Sequence, residues 1–187
     1  MPLIMNYAFV ALWAAWLLFW IGSAFGNKRT LRSSGARWRL VSVAAVAAVW
    51  FVLRQFRGYL DRPLFPSSAA WTYIGLVLTA CGLAFTVWAR LVLGPNWSGM
   101  PTIKQDHELI ERGPYGLVRH PIYTGLLLAV FGSALAGGHA WNVAVFAMIT
   151  ILLIVKSKAE EALLSRQFPD AYRDYRQRVK ALIPFVY

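Results

Sequence analysis

Long uncharged runs alternate with short basic segments along this chain. Residues 1–27 hold no charge, and further uncharged runs cover residues 40–53, 63–89 and 121–155, the last containing His139. About 20 apolar residues carry a helix across the hydrocarbon core, so the first and third runs predict spanning helices. The second spans if Arg39 and Arg54 snorkel at its ends. The fourth is too long for one helix, and the paired glycines Gly137 and Gly138 give it a natural break. Two helices folded as a hairpin follow, each of about 15 residues, or roughly 23 Å at 1.5 Å rise per residue. The expectation is an all-α integral membrane protein with five transmembrane helices, the last two a helical hairpin. It forms a single membrane domain over residues 1–187, with three N-terminal spans and their loops in residues 1–93 and a second half in residues 94–187.

Composition agrees with that pattern. The chain is 58% hydrophobic and 14% charged with nine Trp, more apolar surface than a water-soluble domain of this size keeps in solution. The formal charge of +11 would suit a nucleic-acid binder, but here it follows topology. Sixteen of the nineteen basic residues fall in the segment after the first run, the segment before the hairpin, or the tail, leaving only Arg54, Arg57 and Arg62 on the other side. By the positive-inside rule the N-terminus lies outside, and residues 107–125 and the C-terminal tail are cytoplasmic, at the cytoplasmic membrane if the source is prokaryotic. The first run lacks a basic leader and a small-residue cleavage site, so it reads as a membrane helix and not a signal peptide. One cysteine, Cys81, excludes an intramolecular disulfide. Three His and one Cys without ligand spacing offer no metal site. Seven of the Trp fall within or at the ends of spans, where an aromatic belt and lipid-facing packing account for most of them.

Polar, turn-forming and titratable residues concentrate in residues 107–125. Gly113-Pro114-Tyr115 forces a turn, and Pro121 suits the first turn of the fourth helix, which sets Arg119 and His120 at a helix N-terminus able to favour an anion. The spacing of three puts His120 and Tyr123 on one helix face, and Gly125 leaves room beside it for a bulky group. Reversal near residue 138 sets His120 level with Val155 and Tyr115 level with Glu160. Tyr115, Arg119, His120, Tyr123, Lys156, Glu160 and Glu161 thereby gather at one membrane surface. Glu160 is read as the ligand-facing carboxylate and Glu161 as a solvated one. In the tail, Phe168, Tyr172, Tyr175 and Val179 fall at helical spacing and predict an amphipathic helix packed on the bundle mouth. His139 reads as a solvated turn residue. An anion site beside an acidic one suits a zwitterionic, nucleoside-bearing ligand.

The run Arg119-His120-Pro121-Ile122-Tyr123-Thr124-Gly125, followed after a short apolar hairpin by Glu160-Glu161, resembles the signature of the isoprenylcysteine carboxyl methyltransferase family and its phospholipid methyltransferase relatives. The likeness extends upstream through Asn96-Trp97-Ser98 and Leu109-Ile110 to Gly113-Pro114-Tyr115. Downstream it takes in Phe168, Tyr172, Tyr175, Arg178-Val179 and Pro184-Phe185. It covers residues 94–187, which it marks as a cofactor-binding catalytic half with a cytoplasmic cofactor pocket. The resemblance implies S-adenosylmethionine as methyl donor, leaving as S-adenosylhomocysteine. His107, Glu108, Leu109 and Ile110 would line the adenine end, and Tyr115, His120, Pro121, Ile122, Tyr123 and Glu160 would hold the remainder. Lys156 stands where prenylcysteine-methylating members have an arginine for the acceptor carboxylate, keeping the charge and losing the bidentate fork. With Arg119 it forms the expected catalytic pair. The acceptor would be lipophilic, a prenylated carboxylate entering from the bilayer among membrane lipids. A lipid amine or a small thiol is the alternative, and a non-enzymatic transporter or scaffold is the competing class.

Overall fold

The computed structural model describes residues 3–24, 30–33, 54–66, 68–97, 102–104, 108–184 and 186, with single positions at 40, 43, 44, 47, 48 and 51. Its main helices are α1 (Leu3–Ser23), α2 (Ala69–Leu93), α3 (Pro121–Gly137), α4 (Ala140–Gln167) and α5 (Pro169–Arg178). One short antiparallel ribbon pairs β1 (Thr30–Ser33) with β2 (Thr102–Lys104). The regions of α1, α2 and α4 are long and apolar enough to cross a membrane, whereas α3 is an apolar helix of 17 residues. The chain is an integral membrane protein, and its outward faces show it: Leu18, Val77 and Ile151 are each more than half exposed. The span expected at residues 40–53 lies largely outside the described residues.

The tightest seam joins α2 to α3. Gly75 and Gly82 on α2 and Gly125 and Gly132 on α3 are each seven residues apart, so each pair shares a helix face. A Cβ at Gly82 would lie 2.5 Å from the Gly125 carbonyl oxygen and 2.5 Å from the Ala129 amide nitrogen, and one at Gly132 would lie 2.6 Å from the Gly75 carbonyl oxygen. Small residues let the two backbones touch, which replaces the missing hydrophobic drive between helices in lipid with close van der Waals contact. Between the glycine pairs, the fully buried Thr79 hydroxyl sits 2.8 Å from the Gly75 carbonyl and 3.1 Å from that of Ala129. The room expected beside Gly125 for a ligand is therefore taken by Gly82 and Thr86. Helix packing, not ligand volume, explains that glycine.

Helix α1 is fastened to this seam by indoles. Trp16 Nε1 donates to Thr86 Oγ1 at 2.6 Å and Trp13 Nε1 to Ser133 Oγ at 3.2 Å, so these two tryptophans face inward where a lipid-facing belt was expected. Buried polar groups in an apolar medium need such partners.

The break between α3 and α4 falls at the paired glycines. Gly138 adopts φ +66, a left-handed helix cap that costs glycine nothing. Its carbonyl accepts from the Leu64 amide at 2.8 Å, while the Ala140 amide donates to Arg62 O at 3.1 Å, so the 62–65 segment cradles the turn. His139 is half-buried, with Nδ1 2.6 Å from the Gly137 carbonyl oxygen, and is not the solvated residue expected. At the opposite end, α5 buries Tyr172 and Tyr175, which with Val179 pack on Leu109, Leu164 and Phe168, as the tail stripe predicted. Beyond α5 the chain lies alongside residues 118–120, where the amides of Arg119 and His120 donate to the carbonyls of Lys180 (2.8 Å) and Ala181 (3.0 Å).

Candidate active site

Three backbone features bring the polar residues together. Gly113, at φ +61, opens a 3-10 turn over Gly113–Gly116 that turns Tyr115 inward, where it is 7% exposed. Pro121 then starts α3 at a position where its missing amide hydrogen is harmless, and His120 caps the helix. Across from them runs the second half of α4, bearing Lys156, Glu160 and Glu161.

The contacts are short and mutually constraining. His120 Nε2 lies 3.1 Å from Glu161 Oε1, and Nδ1 lies 3.6 Å from Glu160 Oε2. The imidazole stacks on Tyr123, with centroids 5.5 Å apart and planes 3° from parallel, as the three-residue spacing predicts. The Tyr123 hydroxyl donates to Glu160 Oε1 at 2.5 Å, and Lys156 Nζ stands 5.4 Å over the same ring. Tyr123 thus meets a cation and an imidazole at its ring and a carboxylate at its hydroxyl.

Arg119 is fully engaged elsewhere. Its Nε and Nη2 donate to Glu161 Oε1 at 3.0 and 2.8 Å, and Nη1 donates to the Val179 carbonyl at 2.5 Å. It therefore ties the tail to α4, and the guanidinium is not directed at an acceptor as a catalytic group would be. Glu161 is the other correction. It is only 13% exposed at its side chain and meets His120, Arg119 and Arg176, where a solvated carboxylate was expected. Glu160, at 23%, is the more accessible of the two.

The clusters also meet one to two helical turns further along α4 than level pairing about residue 138 predicts. Side chains on a helix lean toward its N-terminus, so the Glu160 carboxylate sits below its own Cα, nearer the membrane. His120, still outside α3, hangs past the helix end to meet it.

Of the other expected residues, Pro121 is buried, Ile122 and Ile110 are half-buried, and Glu108 is exposed. Leu109 packs against the tyrosines of α5. His107 lies outside the described residues. The tail docks beside the cluster, and its individual contacts are new: Tyr175 donates its hydroxyl to the Tyr115 carbonyl at 2.6 Å, and Thr124 Oγ1 donates to Leu182 O at 2.7 Å. The spacing of Tyr172, Tyr175 and Val179 signalled a tail packed on the bundle mouth, but nothing signalled which groups it would meet.

Electrostatics follow from this enclosure. Burial alone would push the His120 pKa down, but hydrogen bonds and charge from Glu160 and Glu161 outweigh it and raise the value above that of ordinary imidazole. Burial holds the Tyr115 hydroxyl protonated far above its ordinary range, with Glu160 adding to the effect. A raised folded-state pKa stabilises the protein fully below the unfolded value of about 6.5, and that contribution is lost as pH climbs through the folded value. The melting temperature of the ligand-free protein is thus expected to fall more steeply between about pH 6 and pH 9 than that of His120→Gln. Parallel profiles would show that folding leaves the His120 pKa unraised.

The arrangement sets the partly exposed Glu160 carboxylate beside two tyrosines and an imidazole, with a salt-bridged tail behind them. Such a cluster could hold a cationic ligand through Glu160, with Glu161 held by the scaffold.

Comparison with known proteins agrees with the geometry. The chain is 27% identical over 172 residues to a probable protein-S-isoprenylcysteine O-methyltransferase of Oryza sativa subsp. indica, covering 89% of this chain and 87% of that protein. It is 42% identical over 72 residues to methanethiol S-methyltransferase 1 of Bradyrhizobium diazoefficiens, covering 38% of this chain and 24% of that one. Its fold matches the structure of the eukaryotic intramembrane Ras methyltransferase ICMT (isoprenylcysteine carboxyl methyltransferase) with TM-score 0.53 at 21% identity, over 83% of this chain and 55% of that one. The profile of the phospholipid methyltransferase family matches residues 71–171, from the start of α2 into α5, which takes in the glycine seam and every contact among His120, Tyr123 and the two glutamates, and the chain belongs to that family.

Proposed function

We propose that this membrane methyltransferase uses S-adenosylmethionine to methylate a lipophilic acceptor, the carboxylate of an isoprenylcysteine-like substrate. The observation that carries this reading is the His120, Tyr123, Glu160 cluster, in which a partly exposed carboxylate meets an imidazole and a tyrosine ring. Those groups fit the cofactor: Glu160 suits its ammonium or ribose hydroxyls, and the Tyr123 and Tyr115 rings suit a cationic sulfur and its apolar surroundings. The donor supplies an already activated methyl group. The chain's part is to bind, align and keep water out. Glu108, Leu109 and Ile110, with His107, line the adenine end, while Tyr115, His120, Pro121, Ile122, Tyr123 and Glu160 hold the rest. Arg119 acts as a positioning residue through Glu161. A carboxylate nucleophile needs no general base, which agrees with a site whose histidine is committed to two glutamates.

In this reading five spans cross the membrane, α3 and α4 form the final hairpin, residues 94–187 are the catalytic half, and the N-terminus lies outside with the pocket cytoplasmic. The acceptor reaches the mouth from the bilayer and the cofactor from the cytosol. The test is calorimetric titration of the detergent-purified protein with S-adenosylmethionine and S-adenosylhomocysteine. Saturable micromolar binding, lost in His120→Ala, is expected, and its absence in both detergent and lipid nanodiscs would overturn the reading.

A small thiol acceptor is the second reading, favoured by one observation. Lys156 stands over Tyr123 without the fork that grips a carboxylate, and the chain shares 42% identity over 72 residues with a methanethiol S-methyltransferase. Lys156→Ala separates the two. It is expected to raise KM for a prenylcysteine carboxylate about tenfold with cofactor affinity unchanged, since a charge-assisted contact from this half-buried lysine contributes about 1.5 kcal/mol. An unchanged KM turns the assignment to a neutral acceptor.

A further inference from the structure

A cleft lies on the face of α4 away from Lys156 and Glu160. It holds about 530 Å³ and is lined by Arg119, Lys158, Glu161, Arg176 and Lys180, with small residues between them. At 100° per residue, Lys158, Ala162 and Ser165 face away from Lys156 and Glu160, so this space opens on the other side of α4 from those two residues, with Arg119 and Glu161 as the wall it shares with the cluster above. Four cations there face one carboxylate, and that carboxylate is already held by Arg119 at 2.8 Å and Arg176 at 3.8 Å. No carboxylate among the described residues pairs with Lys158 or Lys180, both exposed. The cleft is an anion site with spare positive charge.

Its rim says which anion. Ile151, Val155, Lys158, Ala162 and Ser165 follow the helical spacing of four, three, four and three, one exposed stripe that passes from apolar to basic where α4 leaves the apolar run. Ile151 is 62% and Val155 49% exposed, and on the tail side Ile183 is 54% and Val186 73% exposed. An apolar track leading into a pair of lysines matches an amphiphile with acyl chains along the track and a phosphate at the end. Lysine serves a phosphate as a compact point charge, and basic residues at a membrane surface draw anionic lipid.

We propose that this cleft binds the phosphate headgroup of an anionic phospholipid, on the side of α4 opposite Lys156 and Glu160. The full chain in dodecyl maltoside is titrated with dihexanoyl phosphatidylglycerol and, separately, with inorganic phosphate. Saturable phosphatidylglycerol binding is expected, weakened about tenfold or more in K158Q/K180Q and restored in K158R/K180R. Arg173, which pairs with Asp170 on the outer face of α5, supplies the control, and R173Q is expected to leave the affinity unchanged. Equal binding by wild type and K158Q/K180Q, or an equal loss in R173Q, would overturn the site. Inorganic phosphate binding as tightly as phosphatidylglycerol, through the same lysines, would overturn the lipid assignment. Because Lys158 and Lys180 touch neither His120 nor Glu160, S-adenosylmethionine binding in the double variant reports separately on the methyltransferase reading.

Discussion

Glu160→Ala is expected to abolish S-adenosylmethionine binding while leaving the melting temperature within a few degrees of wild type, and Glu161→Ala is expected to do the reverse. Adjacent residues divide the labour because a helix turns 100° between them. Glu160 is the more exposed, and its internal contacts are the Tyr123 hydroxyl, a charge-assisted bond whose net worth is about 1.5 kcal/mol at a partly exposed group, and the longer approach of His120 at 3.6 Å. Losing them costs the fold little and removes the accessible carboxylate. Glu161 is different: its loss leaves Arg119, 9% exposed at its side chain, without an anion and strips His120 of its nearer partner. Breaking a buried pair from one side costs about 3–5 kcal/mol. The carbonyls of Val179 and Arg176 still hold Arg119, so the lower end of that range applies. Calorimetric titration and thermal denaturation of both variants check the division. Loss of stability in Glu160→Ala with binding intact would invert the roles.

The second large effect lies at the seam. Gly82→Leu would drive a branched side chain into the backbone of Gly125 and Ala129, atoms that cannot rotate away. Overpacking of this kind costs about 3 kcal/mol or more, and the site suffers with it because α3 carries His120 and Tyr123 at its start. Gly22→Leu is the matched control, since a Cβ there meets nothing within 4 Å. Folded yield and melting temperature in detergent are expected to collapse in the first and hold in the second. A stable Gly82→Leu would mean that α2 and α3 are not in backbone contact.

What could be read from the chain, and what could not, divides along physical lines. Period and punctuation were legible: charge-free runs located the long apolar helices, Gly137-Gly138 marked the end of α3, and the tyrosine spacing found the buried face of α5. Juxtaposition was legible where one turn enforces it, so His120, Tyr123 and Glu160 could be foreseen in one cluster. Gly125 was misread because an absent side chain looks the same whether a ligand or a helix fills the gap. Glu161 was misread because nothing local reveals that Arg119 would be brought to it by the far end of the tail. Trp13 and Trp16 could not be told apart from the tryptophans assigned to the belt and to lipid because an indole's partner, a hydroxyl 70 or 120 residues away, leaves no mark on its own neighbourhood.

The unequal lengths of the seamed helices bear on the lipid itself. At 1.5 Å per residue α3 reaches about 26 Å and α2 about 38 Å, against a hydrocarbon core of about 30 Å. Sewn together by glycines, they cannot adjust independently: tilt that suits α2 shortens the reach of α3 further. With α3 crossing the bilayer as proposed, the surrounding leaflet dips around the N-terminal end of α3, at a fraction of a kcal/mol for each ångström of misfit. Acyl-chain length thereby becomes a mechanical setting on the protein, placing His120 nearer to or farther from the headgroup plane as the membrane is made thinner or thicker.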